Sequence, residues 1–563
     1  METRRPPVGH ENFEEIRTED FYYVDKTSFI TTLMCNRGKA NLFTRPRRFG
    51  KTLNMSMLQS FFEINRNNQD LFAGLDIAQE PILCKEHMNK YPVIFLTLKS
   101  VEAEDFTGAL ARIGVQVANE CRRLSFLAQS QQIGPDDQSD FMALKARTAT
   151  PQQLKDSLKT LSRILESHFG QKVVLLIDEY DVPLDKAFHR GYYDKMISFM
   201  RIFLGEALKT NSSLKFAVIT GCLRISRESI FTGLNNLKVY TITDPRHDEH
   251  FGFTDEEIKR ILEDYNLSSA YEELRQWYNG YRFGKKDVYC PWDIMNHVDR
   301  LLADPQAEPE SYWNNTSSND MVRRFIDKAD SNTRYEIEQL VAGGYVEKAI
   351  KTNLTYAEVD ESLDNLWSVL FLTGYLTQQP TEEKLSRHTM RLRIPNEEVK
   401  EIFIEKIQNW FAEKVRNSSS REEMEALYCA LLEGDCNIIE KILTAQLRTT
   451  ISYHDTYEGY YHGFLAGLLK GGGFWGVSSN RETGDGRSDL LIVTEDGAKG
   501  IIIEVKRANS LEDIPIKCQE ALRQAETRNY ADAFLERGLT RAGVYGIAFW
   551  KKNCGVAKCE ERK

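Results

Sequence analysis

No apolar run in this chain approaches the roughly 18–20 residues that a bilayer crossing requires, so no membrane-spanning helix is expected. The opening residues, METRRPPVGHENFEEIRTED, contain no apolar core and do not read as a secretory signal. The ten cysteines are scattered and form no CxxC pair. That excludes a zinc ribbon and a disulfide framework, and it points to a reduced, cytoplasmic protein. Glycine (34) and proline (15) are too sparse for a collagen-like or low-complexity chain. Excess positive charge is also lacking. The net charge is -10 and the isoelectric point about 5.7, which argues against coating nucleic acid by bulk electrostatics but leaves room for a local basic site. From Arg481 to Lys563 there are 15 basic and 14 acidic residues, so the C-terminal region is less acidic than the rest.

What is present is an ordinary globular composition, 41% hydrophobic and 28% charged. At roughly 100–200 residues per domain, 563 residues predict about three or four domains. The first part alternates short apolar runs with long amphipathic stretches. Strands are expected at Ala40–Thr44, Val93–Leu98, Val173–Ile177, Phe216–Thr220 and Val239–Ile242, with helices such as Leu53–Ile64 and Pro151–Phe169 between them. Strands joined by helical crossovers imply an α/β domain with a parallel sheet covered on both faces. From Asp255 to about Gln446 the pattern is mainly helical. From about Tyr453 it reads helix, paired strands, helix, strand. The expected division is 1–245, 246–446 and 447–563.

Two constellations carry chemistry in the first domain. ANLFTRPRRFGKTLNM, residues 40–55, places Gly50-Lys51-Thr52 between a strand and a helix, the context of a phosphate-binding loop. Gly50 permits the tight turn, Lys51 can reach the β- and γ-phosphates of ATP, and the Thr52 hydroxyl can ligate Mg²⁺. Arg48 and Phe49 lie in the same turn, and Arg45 stands where the common pattern has its first glycine. VVLLIDEYD, residues 173–181, delivers two acids at the end of a buried strand: Asp178 to hold Mg²⁺ and Glu179 to polarise the attacking water. Thr220, ending KFAVIT, suits a γ-phosphate contact from a neighbouring strand. RPRRFGKT, VVLLIDEYD and ITGCLRISRESIFTGLNN, together with YYVDKT and WYNGYRFG, resemble the AAA-ATPase-like proteins often joined to a nuclease-like C-terminus. The resemblance spans about Glu11 to Val298. It implies a P-loop ATPase core in which Arg224 and Arg227 contact phosphate or a neighbouring subunit of a homo-oligomer.

The last constellation is GDGRSDLLIVTEDGAKGIIIEVK, residues 484–506. Asp496-Gly497 marks a hairpin turn, Asp489 opens its first strand, and Glu504 and Lys506 share one face of the second. Asp489 and Glu504 are hard oxygen ligands suited to Mg²⁺, and Lys506 can orient a nucleophile or stabilise developing charge. Upstream, Glu458 and His462 fall on one helical face. Helix, hairpin, helix and strand with acids in these places resemble the PD-(D/E)xK nuclease superfamily over about Tyr453–Trp550, and YHGFLAGLL, GDGRSDLLI and IIIEVK resemble the branch found downstream of AAA-ATPase-like domains. The resemblance implies a catalytic core of Asp489, Glu504 and Lys506, with Glu458 as an additional metal ligand and Gln524 and Tyr530 in support. The middle region reads as a helical lid or winged-helix-like connector. Three readings follow: an ATPase governing a Mg²⁺-dependent nuclease on DNA or RNA, a nucleotide-driven switch whose C-terminal domain binds nucleic acid or a protein without cutting, and an ATPase with no nucleic acid involved.

Overall fold

The structure is a computed structural model. It describes residues 4–559 apart from 210, 224–230, 232–235, 314–319, 355, 360, 384, 387, 419–420, 451–457, 472–474, 484–485, 495–497 and 528–538. Some side chains within described helices and strands, those of Glu458 and Asp489 included, are also outside the description. The chain divides into two compact units: Met1–Trp313 with Glu347–Glu398, and Asn314–Val346 with Val399–Lys563. Residues 246–446, expected as one helical segment, are therefore shared between the two units.

The first unit is built on five parallel strands, β1 (Ala40–Thr44), β2 (Val93–Thr97), β3 (Val173–Asp178), β4 (Leu214–Gly221) and β5 (Leu237–Tyr240). They run in the order β2-β3-β4-β1-β5. Every residue of β1 and β3 is buried, as expected for strands covered by helices on both faces. The helix Pro151–Phe169 starts where its sequence directs: Thr150 caps it reciprocally with Gln153, and Pro151 occupies the first turn. The helix after β1 runs Lys51–Phe62, two residues earlier than its apolar pattern indicated. Gly50, at φ +75°, makes the left-handed turn that starts it. The register aligns Phe43 with Thr220, Ile177 with Ile219 and Thr97 with Asp178, so the ends of β1, β3 and β4 meet at one edge.

The stretch expected to be mainly helical also contains strands. A hairpin joins β6 (Tyr281–Phe283) to β7 (Lys286–Val288), and β8 (Val346–Ala349), β9 (Thr377–Gln378) and β10 (Thr389–Arg393) form a small sheet in the order β8-β10-β9. Strands of two to five residues are too short to show a period of two. LWSVLFLTGYLT is the expected core helix, Leu363–Leu372, followed by a turn.

In the second unit a five-stranded sheet runs β11 (Trp475–Thr483), β12 (Gly486–Thr494), β13 (Lys499–Arg507), β14 (Thr540–Trp550) and β15 (Asn553–Lys558) in sequential order. Only β13 and β14 pair in parallel. Such a pair needs a crossover, and the helix Ile514–Thr527 lies within it. That helix buries Leu522 and Ala525 against Leu491, Ile502 and Val544. Tyr461, on the helix Glu458–Gly471, stacks on Phe549 with ring centroids 4.7 Å apart. The expected hairpin is β12–β13, and its turn residues Asp496 and Gly497 lie outside the described residues. Strands β11 and β15 were not anticipated. Among the described residues no helix is long and apolar enough to cross a membrane.

Candidate functional site

The edge where β1, β3 and β4 end brings together Thr52, Asp178, Glu179 and Thr220 with Lys51. Asp178, the last residue of β3, is fully buried and accepts two hydroxyl hydrogen bonds, from Thr52 at 2.9 Å and Thr220 at 2.5 Å. Thr52 lies in the first turn of a helix, Asp178 ends one strand and Thr220 nearly ends the next, so three elements converge on one carboxylate. Burial, then the neighbouring Glu179, raises the Asp178 pKa against the pull of both hydroxyls. Glu179 has φ +54°, an uncommon conformation for a residue with a Cβ. Its N–H donates to Thr220 Oγ1 at 3.2 Å, and the next residue's N–H donates to the Thr220 carbonyl at 2.9 Å. Backbone held in this way is characteristic of sites where a side chain must be aimed.

Lys51 is buried. Its Nζ donates to the carbonyls of Arg45 (3.2 Å) and Pro46 (3.0 Å) and lies 3.2 Å from Glu179 Oε1. Burial alone would lower its pKa. Cys222 when ionised, with Glu179, Asp181 and Asp178, outweighs that, so the ammonium is held above its ordinary value; the Cys222 thiol itself is pushed up to about 12 by burial, which leaves the three acids as the charged neighbours near neutral pH. The lysine is thus charged and sits between the loop and the acids.

The remaining loop residues divide. Arg45 is fully buried and donates to the carbonyls of Thr44 (2.8 Å), Tyr240 (3.0 Å) and His247 (2.9 Å). Burial lowers its pKa to about 10. It replaces the missing glycine as a clamp joining β1 to β5 and the segment that follows. Phe49 is buried against Tyr281 and Phe283, each ring 5.0 Å away. Arg48 lies over the Trp292 ring at 4.9 Å and donates to the Tyr312 carbonyl. The side chains of Arg48 and Phe49, expected beside the nucleotide, therefore face the β6–β7 hairpin and the segment beyond it. Arg224 and Arg227 lie outside the described residues.

Asp181 was not singled out in sequence. Its Oδ2 accepts the N–H groups of Cys222 (2.8 Å) and Leu223 (2.9 Å), fixing the chain that leaves β4. Burial, then Glu179, pushes its pKa up to about 7. A further buried acid pair, Asp293 and Glu398, also escaped notice. Both are fully buried, and Glu398 accepts the Trp313 N–H at 2.9 Å. Burial pushes Asp293 up to about 6, and burial together with Asp293 raises Glu398. Only the fold reveals this pair, because 105 positions separate the two acids.

In the second unit Glu504 lies on β13, fully buried, and accepts Gln524 Nε2 at 3.2 Å. Its neighbour on β14 is Gly546. A Cβ there would overlap the Cys518 carbonyl, so the glycine lets the helix bearing Gln524 approach closely. Lys506, two residues on, pairs with Ala548 and is half-buried. Strand β12 pairs Leu490 with Ile503, and one further step along that register sets the Asp489 position opposite Glu504. Glu458 is the first residue of its helix. Tyr530 lies outside the described residues. Among the described residues no group of three His, Cys, Asp or Glu side chains is placed to hold a metal.

A parallel sheet with a Gly-Lys-Thr turn facing strand-end acids defines a P-loop nucleotide-binding class. A helix-flanked mixed sheet with an acid and a lysine on its central strand defines a nuclease-like one. Comparison agrees: residues 7–231 match the family model described as a predicted AAA-ATPase, and residues 456–559 match the PD-(D/E)XK nuclease superfamily. The chain carries an AAA-ATPase-like domain and a C-terminal PD-(D/E)XK domain. It is also similar to a protein of Azotobacter chroococcum mcd 1 described as "Uncharacterized protein in vnfD 5'region", 26% identical over 554 residues, covering 96% of this chain and 95% of that protein.

Proposed function

We propose that this protein binds and hydrolyses ATP with Mg²⁺, and that the nucleotide cycle governs a Mg²⁺-dependent nuclease acting on DNA or RNA in the cytoplasm. The observation that carries the reading is the convergence of Thr52 and Thr220 on Asp178, with Lys51 and Glu179 beside them. The donor set fits both ligands. Thr52 and Asp178 offer the hard oxygens that Mg²⁺ prefers, and a buried ammonium at a helix N-terminus fits phosphate. Lys51 would exchange its carbonyl and Glu179 contacts for the β- and γ-phosphates, and the loop amides from Arg48 to Gly50 would face the phosphate oxygens. Glu179, released from Lys51, would take the proton of the attacking water. Bound Mg²⁺ would supply neutralisation of phosphate charge. In the second unit Asp489, Glu504 and Glu458 would hold the metal, and Lys506 would stabilise the charge that develops on the cleaved phosphodiester. Ten free thiols suit a reducing compartment. Calorimetry of ATP with the native protein and with Lys51→Ala tests the first half. Tight binding that the substitution greatly weakens is expected, and equal affinity of the two proteins would sink the reading.

A further inference from the structure

The net charge of -10 conceals a local excess of the other sign. The segments that lead into β1, β2, β3 and β4 read NRGK, MNKYP, GQK and KTNSS, and they hold Arg37, Lys39, Lys90, Lys172 and Lys209 without a single acid. Lys215 and Lys238 stand second in β4 and β5, and both are exposed. Pairing brings these strand starts level. The Lys39 carbonyl accepts the Ala217 N–H at 2.9 Å, the Ser213 carbonyl the Val173 N–H at 2.8 Å, and the Pro92 carbonyl the Val174 N–H at 2.9 Å. In the order β2-β3-β4-β1-β5, each strand therefore begins at or beside one lysine: Lys90, Lys172, Lys215, Lys39 and Lys238. At roughly 4.8 Å between strands the row is about 19 Å long.

The contacts these cations make are with uncharged groups. Lys39 donates to the Leu214 carbonyl, Lys238 to the Asn36 carbonyl at 2.6 Å, and Lys215 Nζ lies over the Tyr91 ring at 5.1 Å. Among the described residues no carboxylate pairs with any of the seven. Arg37, Lys39 and Lys215 line a cavity of about 440 Å³ together with Leu33, Met34 and Phe216. The acids near it are Glu86, 3.8 Å from His87 Nε2, and Glu166, whose field reaches Lys39. Asn41 is buried on the cavity wall, and its Oδ1 has no donor among the described residues. Cations and apolar side chains around one hollow suit a phosphate and the base attached to it, and a base N–H is the donor that Asn41 lacks. A paired base leaves its stack only at a cost, so the cavity selects an unpaired strand.

We propose that this edge of the sheet, at the opposite end of the strands from Asp178 and Thr220, binds a single-stranded polynucleotide. The row of lysines holds the phosphates, and the cavity takes one base. The inference rests on neither the ATPase nor the nuclease reading, because the site uses none of their residues.

The test is fluorescence anisotropy of a labelled single strand of about 20 nucleotides with the full-length protein, in EDTA and without ATP, so that neither cleavage nor nucleotide enters. Lys172→Gln, Lys215→Gln and Lys238→Gln combined are expected to weaken binding on the order of 10²-fold and to flatten the slope of log K against log salt by about 2. The melting temperature should hold, because all three side chains are exposed. A duplex of the same sequence should bind less tightly. Ultraviolet crosslinking of the strand to the native protein should map to peptides containing residues 37–41 and 87–91. No binding by the native protein, an unchanged affinity and slope in the triple variant, crosslinks confined to other peptides, or equal affinity for the duplex would each overturn the proposal. So would binding of phosphatidylcholine vesicles containing phosphatidylserine in place of the strand, lost in the triple variant, which would make the edge a membrane-facing surface. If the triple variant melts below the native protein, Lys172→Gln alone is read for a slope smaller by about 0.7, and an unchanged slope there overturns the proposal.

Discussion

Each functional side chain in the first unit is set by a neighbour of a different element. Lys51 is paired with Glu179, and Asp178 accepts from two hydroxyls. Their losses should therefore separate. Lys51→Ala removes the cation that would meet phosphate and should greatly weaken ATP binding. Glu179→Gln keeps the binding groups and should slow hydrolysis by about 10²–10⁴-fold, measured as phosphate release at saturating ATP. Asp293 yields a prediction of another kind. A carboxyl raised from 3.8 to about 6 by burial favours the folded state in its protonated form. Its contribution to stability is complete below the ordinary value and is lost as pH rises through about 6. Glu398 is raised too, and acts with the same sign. Melting temperature should fall with rising pH more steeply in the native protein than in Asp293→Asn, and identical slopes between about pH 4.5 and 7.5 would refute the buried acid as the source.

Among the elements, the crossover helix Ile514–Thr527 matters most to the proposed site on β13, because it carries Gln524 to Glu504. Gly546 allows that approach. Gly546→Val would push the helix off β14, costing about 1–3 kcal/mol, read as a lower urea midpoint. Any nucleic-acid cleavage should fall further than the stability loss explains, since Glu504 would lose its partner. Glu504 is the residue of this site to replace first. It is fully buried, so Glu504→Gln is the cleaner variant, keeping the volume while removing the charge. The hairpin β6–β7 plays a comparable part in the first unit, because Phe49 is seated on it.

For the whole molecule, the fused arrangement predicts a coupled activity. Purified full-length protein should cleave labelled DNA or RNA with Mg²⁺, lose cleavage in EDTA, and change its rate with ATP. Asp489→Ala, compared side by side, should be inert while its ATP hydrolysis persists. Equal cleavage by both proteins would place the activity elsewhere. Absence of cleavage on every substrate would reduce the nuclease reading to a statement about the fold.

Long-range order was legible in sequence wherever a periodic or apolar pattern exceeded about five residues. The parallel strands, the helix Pro151–Phe169 and the β12–β13 hairpin follow from apolar pattern, and Gly50-Lys51-Thr52 and Asp178-Glu179 stand out by residue type at the ends of strands. Pairings between distant residues could not be read, because nothing local specifies them. Arg45, Arg47 and Arg48 are equivalent as letters. The fold buries the first among carbonyls, sets the last on Trp292, and brings Arg47 to Asp185, since only packing decides which way each side chain of a tight turn can go.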